Sequence, residues 1–160
     1  MIQAITETGF NIYVQTEDNR INTSVASTQI RHLVKFTNDL EKSVYYAYGV
    51  TETIKDRYTK ISINYDVTPD MYAGETKLFP AGYWKYEIYE VSWTGTVTVS
   101  SGYAPATEDD VLTPVADTKG VVQGLVTKGK MYLAEKDGTE QVQYTQRQEP
   151  SGTNYIYYGQ

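Results

Sequence analysis

Catalysis needs a side chain that can move a proton, attack an electrophile or hold a metal, and this chain offers few. It has one histidine, His32, and no cysteine. Without cysteine there is no thiol nucleophile, no cysteine-ligated zinc and no disulfide framework. A catalytic triad holds its histidine between a nucleophile and an orienting acid. Nothing close to His32 in sequence supplies either, so His32 reads as an ordinary strand position. The longest acidic run, Glu108, Asp109 and Asp110, is contiguous, so its carboxylates diverge instead of converging on one cation. It reads as part of a solvated loop. Glu87 and Glu90 fall on opposite faces of one strand and cannot act as a pair across a glycosidic bond. Gly120-Val-Val-Gln-Gly124 lacks the strand-to-helix turn that a phosphate-cradling glycine loop requires. The expectation is a non-enzyme with no cofactor and no metal.

The chain is rich in tyrosine instead, with sixteen in 160 residues. They sit in alternating runs, the densest between Gly82 and Val91. Aromatic and β-branched residues at period two fit a pleated, half-buried sheet. Tyrosines left facing solvent suit a protein-binding surface. Fourteen basic against twenty acidic residues give a net charge of −6, which argues against a nucleic-acid partner, since that needs a basic face. No apolar run nears the ~20 residues that cross a bilayer, so no membrane role is expected. The first ten residues lack the basic and apolar regions of a signal peptide, which predicts folding in a cytoplasm.

Which elements would position these residues follows from the alternation. About eight or more short strands, with turn signals roughly every 8–12 residues, predict an all-β sandwich. Leu33–Phe36 and Val44–Tyr48 read as a hairpin, and Ile61, Ile63 and Tyr65 share one face. Asn38 is placed to cap a short helical turn over 37–42. Trp93, Gly95, Val97 and Val99 alternate as a returning strand. Residues 100–119 have no period and are expected to form an exposed loop. Gly124 and Gly129 mark bulges or close backbone approach.

The run beginning at Gly82 has the form of the Gly-x-Tyr-x-Cys segment that opens a central strand in immunoglobulin-like sandwiches. Trp84 takes the corner position and Tyr86 that of the cysteine. Trp84, Tyr86 and Ile88 then point inward, against Ile61, Ile63 and Leu33, with Lys85, Glu87 and Tyr89 outside. The expected organisation is an immunoglobulin-like β-sandwich over 29–148, an N-terminal extension over 1–28 and a C-terminal tail over 149–160. Both termini carry strand-like segments, which could add strands to a neighbour's sheet. Phe10 and Ile12 at one end, and Tyr155, Ile156, Tyr157 and Tyr158 at the other, are therefore the expected partner-binding residues. A different reading takes Tyr89, Tyr103 and Tyr132 as a platform for surface glycans, as in a carbohydrate-binding module.

The segment 80–91, with Gly82, Tyr83, Tyr86, Glu87, Ile88, Tyr89 and Glu90, resembles a recurrent strand of virion structural proteins in tailed bacteriophages, especially the crAss-like phages and their relatives in Bacteroidetes hosts. Gly120-Val-Val-Gln-Gly-Leu-Val126, then Lys130-Met-Tyr-Leu133, resembles the segment that follows it there, with Gly124 one residue early. Phe36–Leu40 and Tyr45–Tyr48 are similar too, so the likeness spans residues 33–135. It implies an auxiliary (decoration or cementing) protein bound to the major capsid protein, or a head–tail junction or tail adaptor. It also implies residence in the virion, after assembly in the host cytoplasm.

Overall fold

Period-two alternation gives each strand here one apolar side, and the fold is the way those sides meet. The structure, a computed structural model, describes residues 1–137. Nine strands occur in that span: β1 (Ile2–Ile5), β2 (Phe10–Val14), β3 (Ile30–Asn38), β4 (Val44–Ala47), β5 (Thr51–Ile54), β6 (Thr59–Tyr65), β7 (Glu75–Thr76), β8 (Gly82–Ser92) and β9 (Val121–Ala134). They form one sheet of order β1-β9-β8-β3-β4 and a second of order β2-β6-β5, with β7 on β6. This is an immunoglobulin-type β-sandwich: β3, β8 and β9 stand where C, F and G stand, and β2, β6 and β5 where B, E and D stand.

Between the sheets, Val34 and Phe36 of β3 and Trp84 and Ile88 of β8 meet Ile12, Ile61 and Ile63. Trp84, Phe36, Ile12, Ile61, Ile63 and Ile88 are all essentially inaccessible. The inward set expected for β8 is therefore the observed one. Leu33, however, faces the other way. It joins Tyr48, Val91, Trp93 and Ala104 in a second core on the outer side of the larger sheet, because neighbours on a strand point to opposite faces. Tyr89, expected outside, is half-buried against this second core.

The second core also explains the missing return strand. After Ser92 the chain leaves the sheet, and no strand covers 93–99. Trp93 instead sinks completely into the outer core, and residues 94–120 run over it as an irregular strap. This strap is not simply exposed, since Ala104 and Pro105 are buried beneath it. The hydroxyl of Tyr48 donates to the Pro105 carbonyl at 2.7 Å.

Both flagged glycines have a mechanical reason. Gly124 sits at φ 149° opposite Glu90, where the β8–β9 register shifts, so it is a bulge. At Gly129 a Cβ would come within 2.5 Å of the Tyr86 hydroxyl, so the ring lies directly on the backbone. The helical turn expected at 37–42 is reduced to a single turn, in which the Lys42 amide donates to the Asn38 carbonyl at 3.1 Å and no helix follows. β3 runs through Asn38, whose Oδ1 then accepts the amides of Leu40 and Glu41, both at 2.8 Å. That is an Asx-type turn, the same capping chemistry without a helix.

Trp84 carries the corner expected of it. Its Nε1–H donates to the Pro80 carbonyl, four residues upstream, at 3.1 Å, and its ring packs 5.8 Å from that of Tyr45. Truncating a buried aromatic of this size costs about 3–5 kcal/mol, so Trp84→Ala should lose most of a small domain's stability. Trp84→Phe keeps most of the burial and leaves one carbonyl unpaired, a smaller loss of about 1–3 kcal/mol. Urea unfolding of the two variants checks the order.

Candidate functional site

The residues expected to bind a partner fall in two places. Tyr155, Ile156, Tyr157 and Tyr158, with the 149–160 tail, lie outside the described residues. Phe10 and Ile12 are inside them, in a strand that the chain pairs with itself. They belong to β2, which pairs in its own sheet with β6, Phe10 opposite Ile63 and Ile12 opposite Ile61. Ile12 is fully buried, and Phe10 packs edge-on against Phe36 at 5.9 Å. Their alternation aims both side chains at this chain's own core. The 1–28 segment is likewise built in: β1 lies parallel on β9, and Asn19 Nδ2 donates to the Val126 carbonyl.

The polar interior holds groups that sequence spacing did not connect. His32 is buried, and its Nδ1 lies 2.9 Å from Glu52 Oε2, with both side chains about 3% exposed. The other Glu52 oxygen accepts the His32 backbone amide at 3.0 Å. Glu90, 1% exposed, accepts the successive amides of Ile21 and Asn22 at 2.9 and 2.8 Å. These carboxylates are saturated by backbone donors and imidazole, which makes them joints of the fold. Among the described residues no group of three or more His, Asp or Glu is placed to hold a metal.

Glu108 was read as part of a solvated loop, and the structure corrects that too. Its carboxylate accepts from Lys35 Nζ and from the Tyr46 hydroxyl, the latter at 2.6 Å, and so latches the strap onto the outer face. Asp110 turns back to accept the Ala106 amide, while Asp109 is exposed. Burial works against ionisation of Glu108, but the bonds from Lys35 and Tyr46 and the Lys35 charge outweigh it and hold the carboxyl below its ordinary value. The bond to Glu108 raises Lys35 correspondingly.

A surface able to meet a partner lies at the β3–β4 end of the sandwich. Here a groove of about 330 Å³ is lined by Asn38, Asp39, Leu40, Pro80, Ala81, Gly82 and Tyr83. Each wall is fixed from behind. The Asn38 turn holds Leu40 outward, 86% exposed, and the Trp84 indole holds the Pro80 carbonyl. The Asp39 amide donates to the Tyr83 carbonyl at 3.0 Å, tying one wall to the other. Phe79, 67% exposed, flanks the groove one residue before Pro80. Next to Tyr83, across the β8–β9 ladder, stands Tyr132 at 5.1 Å.

The tyrosine trio expected as a glycan platform is not brought together. Tyr132 lies opposite Tyr83, six strand positions and about 20 Å from Tyr89. Burial, with the nearby Glu87 and Glu108 carboxylates, pushes the Tyr89 phenol up to about 12, and Tyr103 rides on the strap.

The Glu108 latch generates a pH prediction. Its folded pKa is below the unfolded one, so it contributes stability at and above the ordinary carboxylate range, and that contribution is lost as pH falls through the lowered value. Thermal midpoints of the native chain and Glu108→Gln should differ at neutral pH and converge in acid. Parallel curves across the whole range would show that Glu108 is not the latch.

No family model matches the chain, and no curated protein matches it. One similar solved structure is a protein from Bacteroides vulgatus ATCC 8482 named "putative glycoside hydrolase", with 11% identity and a TM-score of 0.38. The match covers 84% of this chain and 16% of that one, so the chain spans less than a fifth of that protein's length.

Proposed function

We propose that this chain is a non-enzymatic binding module of a phage virion, an auxiliary capsid protein that docks on the shell through the groove at the β3–β4 end. The observation that carries the reading is the groove itself. Leu40 and Tyr83 stand exposed in it, with Phe79 exposed one residue before Pro80, and the Asn38 turn and the Asp39–Tyr83 bond lock its walls. A preformed apolar groove loses little entropy on binding, and an exposed aromatic and aliphatic cluster of this kind is what an interface core uses. The occupant is an extended, apolar segment of the major capsid protein, as the likeness of residues 33–135 to virion proteins implies. Among the described residues, the buried His32, Glu52 and Glu90 are committed to the fold. A head–tail junction or tail adaptor would use the same groove in fewer copies.

Two measurements test this. Mass spectrometry of purified virions should find the protein, at a copy number matching the capsomers; absence from intact particles overturns the reading, and a handful of copies moves it to the neck or tail. Leu40→Asp and Phe79→Asp alter side chains that are largely in solvent, so the fold should melt unchanged. Each should lower incorporation about tenfold or more, the scale of one interface hot spot. Undiminished incorporation of the double variant would exclude the groove.

A further inference from the structure

The outer face of the larger sheet is divided in two. Around Leu33, Tyr48, Val91 and Trp93 it is closed by the strap. Toward the start of β8 no strap residue covers it, and Tyr83, Lys85, Lys128 and Lys130 are exposed there. In that half the register sets Tyr83 opposite Tyr132, Lys85 opposite Lys130 and Glu87 opposite Lys128. The two tyrosine rings are 5.1 Å apart and inclined at 55°, with Tyr83 58% exposed. Lys128 and Lys130 are exposed and have no ion-pair partner among the described residues. The acids beside them are engaged elsewhere: Asp39 lies 3.6 Å from Lys85, and Glu87 lies 3.8 Å from Lys35.

Two features thus coincide on a flat surface. The ring pair offers apolar faces with hydroxyl tips. One row further along, about 7 Å away, stand two lysines facing solvent. A ligand that satisfies both has a C–H face to lay on the rings and a fixed negative charge roughly one unit further on. A chain of sugar acids has that form. A single-stranded nucleic acid also pairs rings with charge, but its affinity grows with the number of phosphates neutralised. Three lysines on a chain of net charge −6 are a poor match for a polyphosphate.

We propose that this open half-face is a binding site for an anionic saccharide, with Tyr83 and Tyr132 stacking on pyranose rings and Lys85 and Lys130 meeting carboxylates. The site adjoins the docking groove and shares Tyr83 with it, while Tyr132 and Lys130 lie outside the groove. It uses a different set of tyrosines from the trio that sequence alone suggested, with Tyr132 common to both.

Titration calorimetry of the full chain with an oligogalacturonide tests it, with a maltooligosaccharide and an oligo-dT strand as comparisons. The expected result is binding of the uronate oligomer that weakens as salt rises. Tyr132→Ala should weaken it about tenfold, and Lys130→Gln several-fold with a flatter salt dependence. Virion incorporation of both variants should be unchanged, which separates this site from the groove. No uronate binding, equal binding of the neutral oligomer or tighter binding of oligo-dT each overturns the proposal. Should Tyr132→Ala fail to fold, the double variant Lys128→Gln/Lys130→Gln, altered only at exposed positions, decides: unchanged uronate affinity sinks the site.

Discussion

The rest of the structure depends on the register of one strand. β8 is paired along its length, with β3 on one side and β9 on the other, and toward its end both of its faces are buried. Trp84 and Ile88 fill the space between the sheets, while Val91, with Trp93 just past the strand's end, fills the core under the strap. A slip of one residue exchanges the two faces. It would drive Glu87 and Tyr89 between the sheets and strand Trp84 in solvent. In a sheet with one wet face such an error spoils one core; here it would spoil two. The bulge at Gly124 lets β9 keep pairing with β8 while β8 holds this register.

Where strands run out, buried carboxylates take over the backbone's hydrogen bonding. β4 covers β3 only from Val34 to Thr37, so the His32 amide has no strand beside it, and Glu52 from the opposite sheet accepts it. Residues 15–29 form no strand, yet Glu90 fastens them by two consecutive amides, and Asn22 adds a bond to the Ser92 hydroxyl at 3.0 Å. A buried carboxylate is costly when left alone and tolerable when every oxygen has a donor. These two are satisfied, and each joins segments distant in sequence. The same logic accounts for the lone histidine: its backbone amide and its Nδ1 both meet the Glu52 carboxylate, which makes it a joint of the fold.

Local alternation was legible in the sequence, and long-range closure was not. The inward set Trp84, Tyr86 and Ile88, the corner at Trp84 and the bulge at Gly124 all rest on spacing within one or two strands. Extending the β8 alternation one step would have placed Glu90 inside as well, a buried acid that signals a partner even before the partner is known. Leu33, Tyr89 and the strap went otherwise, because period two says that Leu33 faces away from Val34 but not whether anything covers that side. The cover comes from residues sixty and more positions downstream, which lack any period. The same blindness made Phe10 and Ile12 look like a free arm. A strand at the start of a chain has the same pattern whether it pairs with its own sheet or a neighbour's, and only the facing Ile61 and Ile63 decide it.

The strap also determines where function can lie. By covering one half of the outer face it buries Leu33 and Tyr48 and half-buries Tyr46 and Tyr89, and by ending at Gly120 it leaves the other half of that face clear of the strap. The groove lies just beyond this open half, at the end of the sandwich, and Tyr83 stands at the boundary between them. Its backbone carbonyl closes the groove through the Asp39 amide while its ring leans on Tyr132 across the ladder. An immunoglobulin-type sandwich has two sheet faces and two loop ends to offer a partner. In this chain the latch at Glu108, through Lys35 and Tyr46, divides one face and leaves the Tyr83–Tyr132 pair on the part that the strap does not cover.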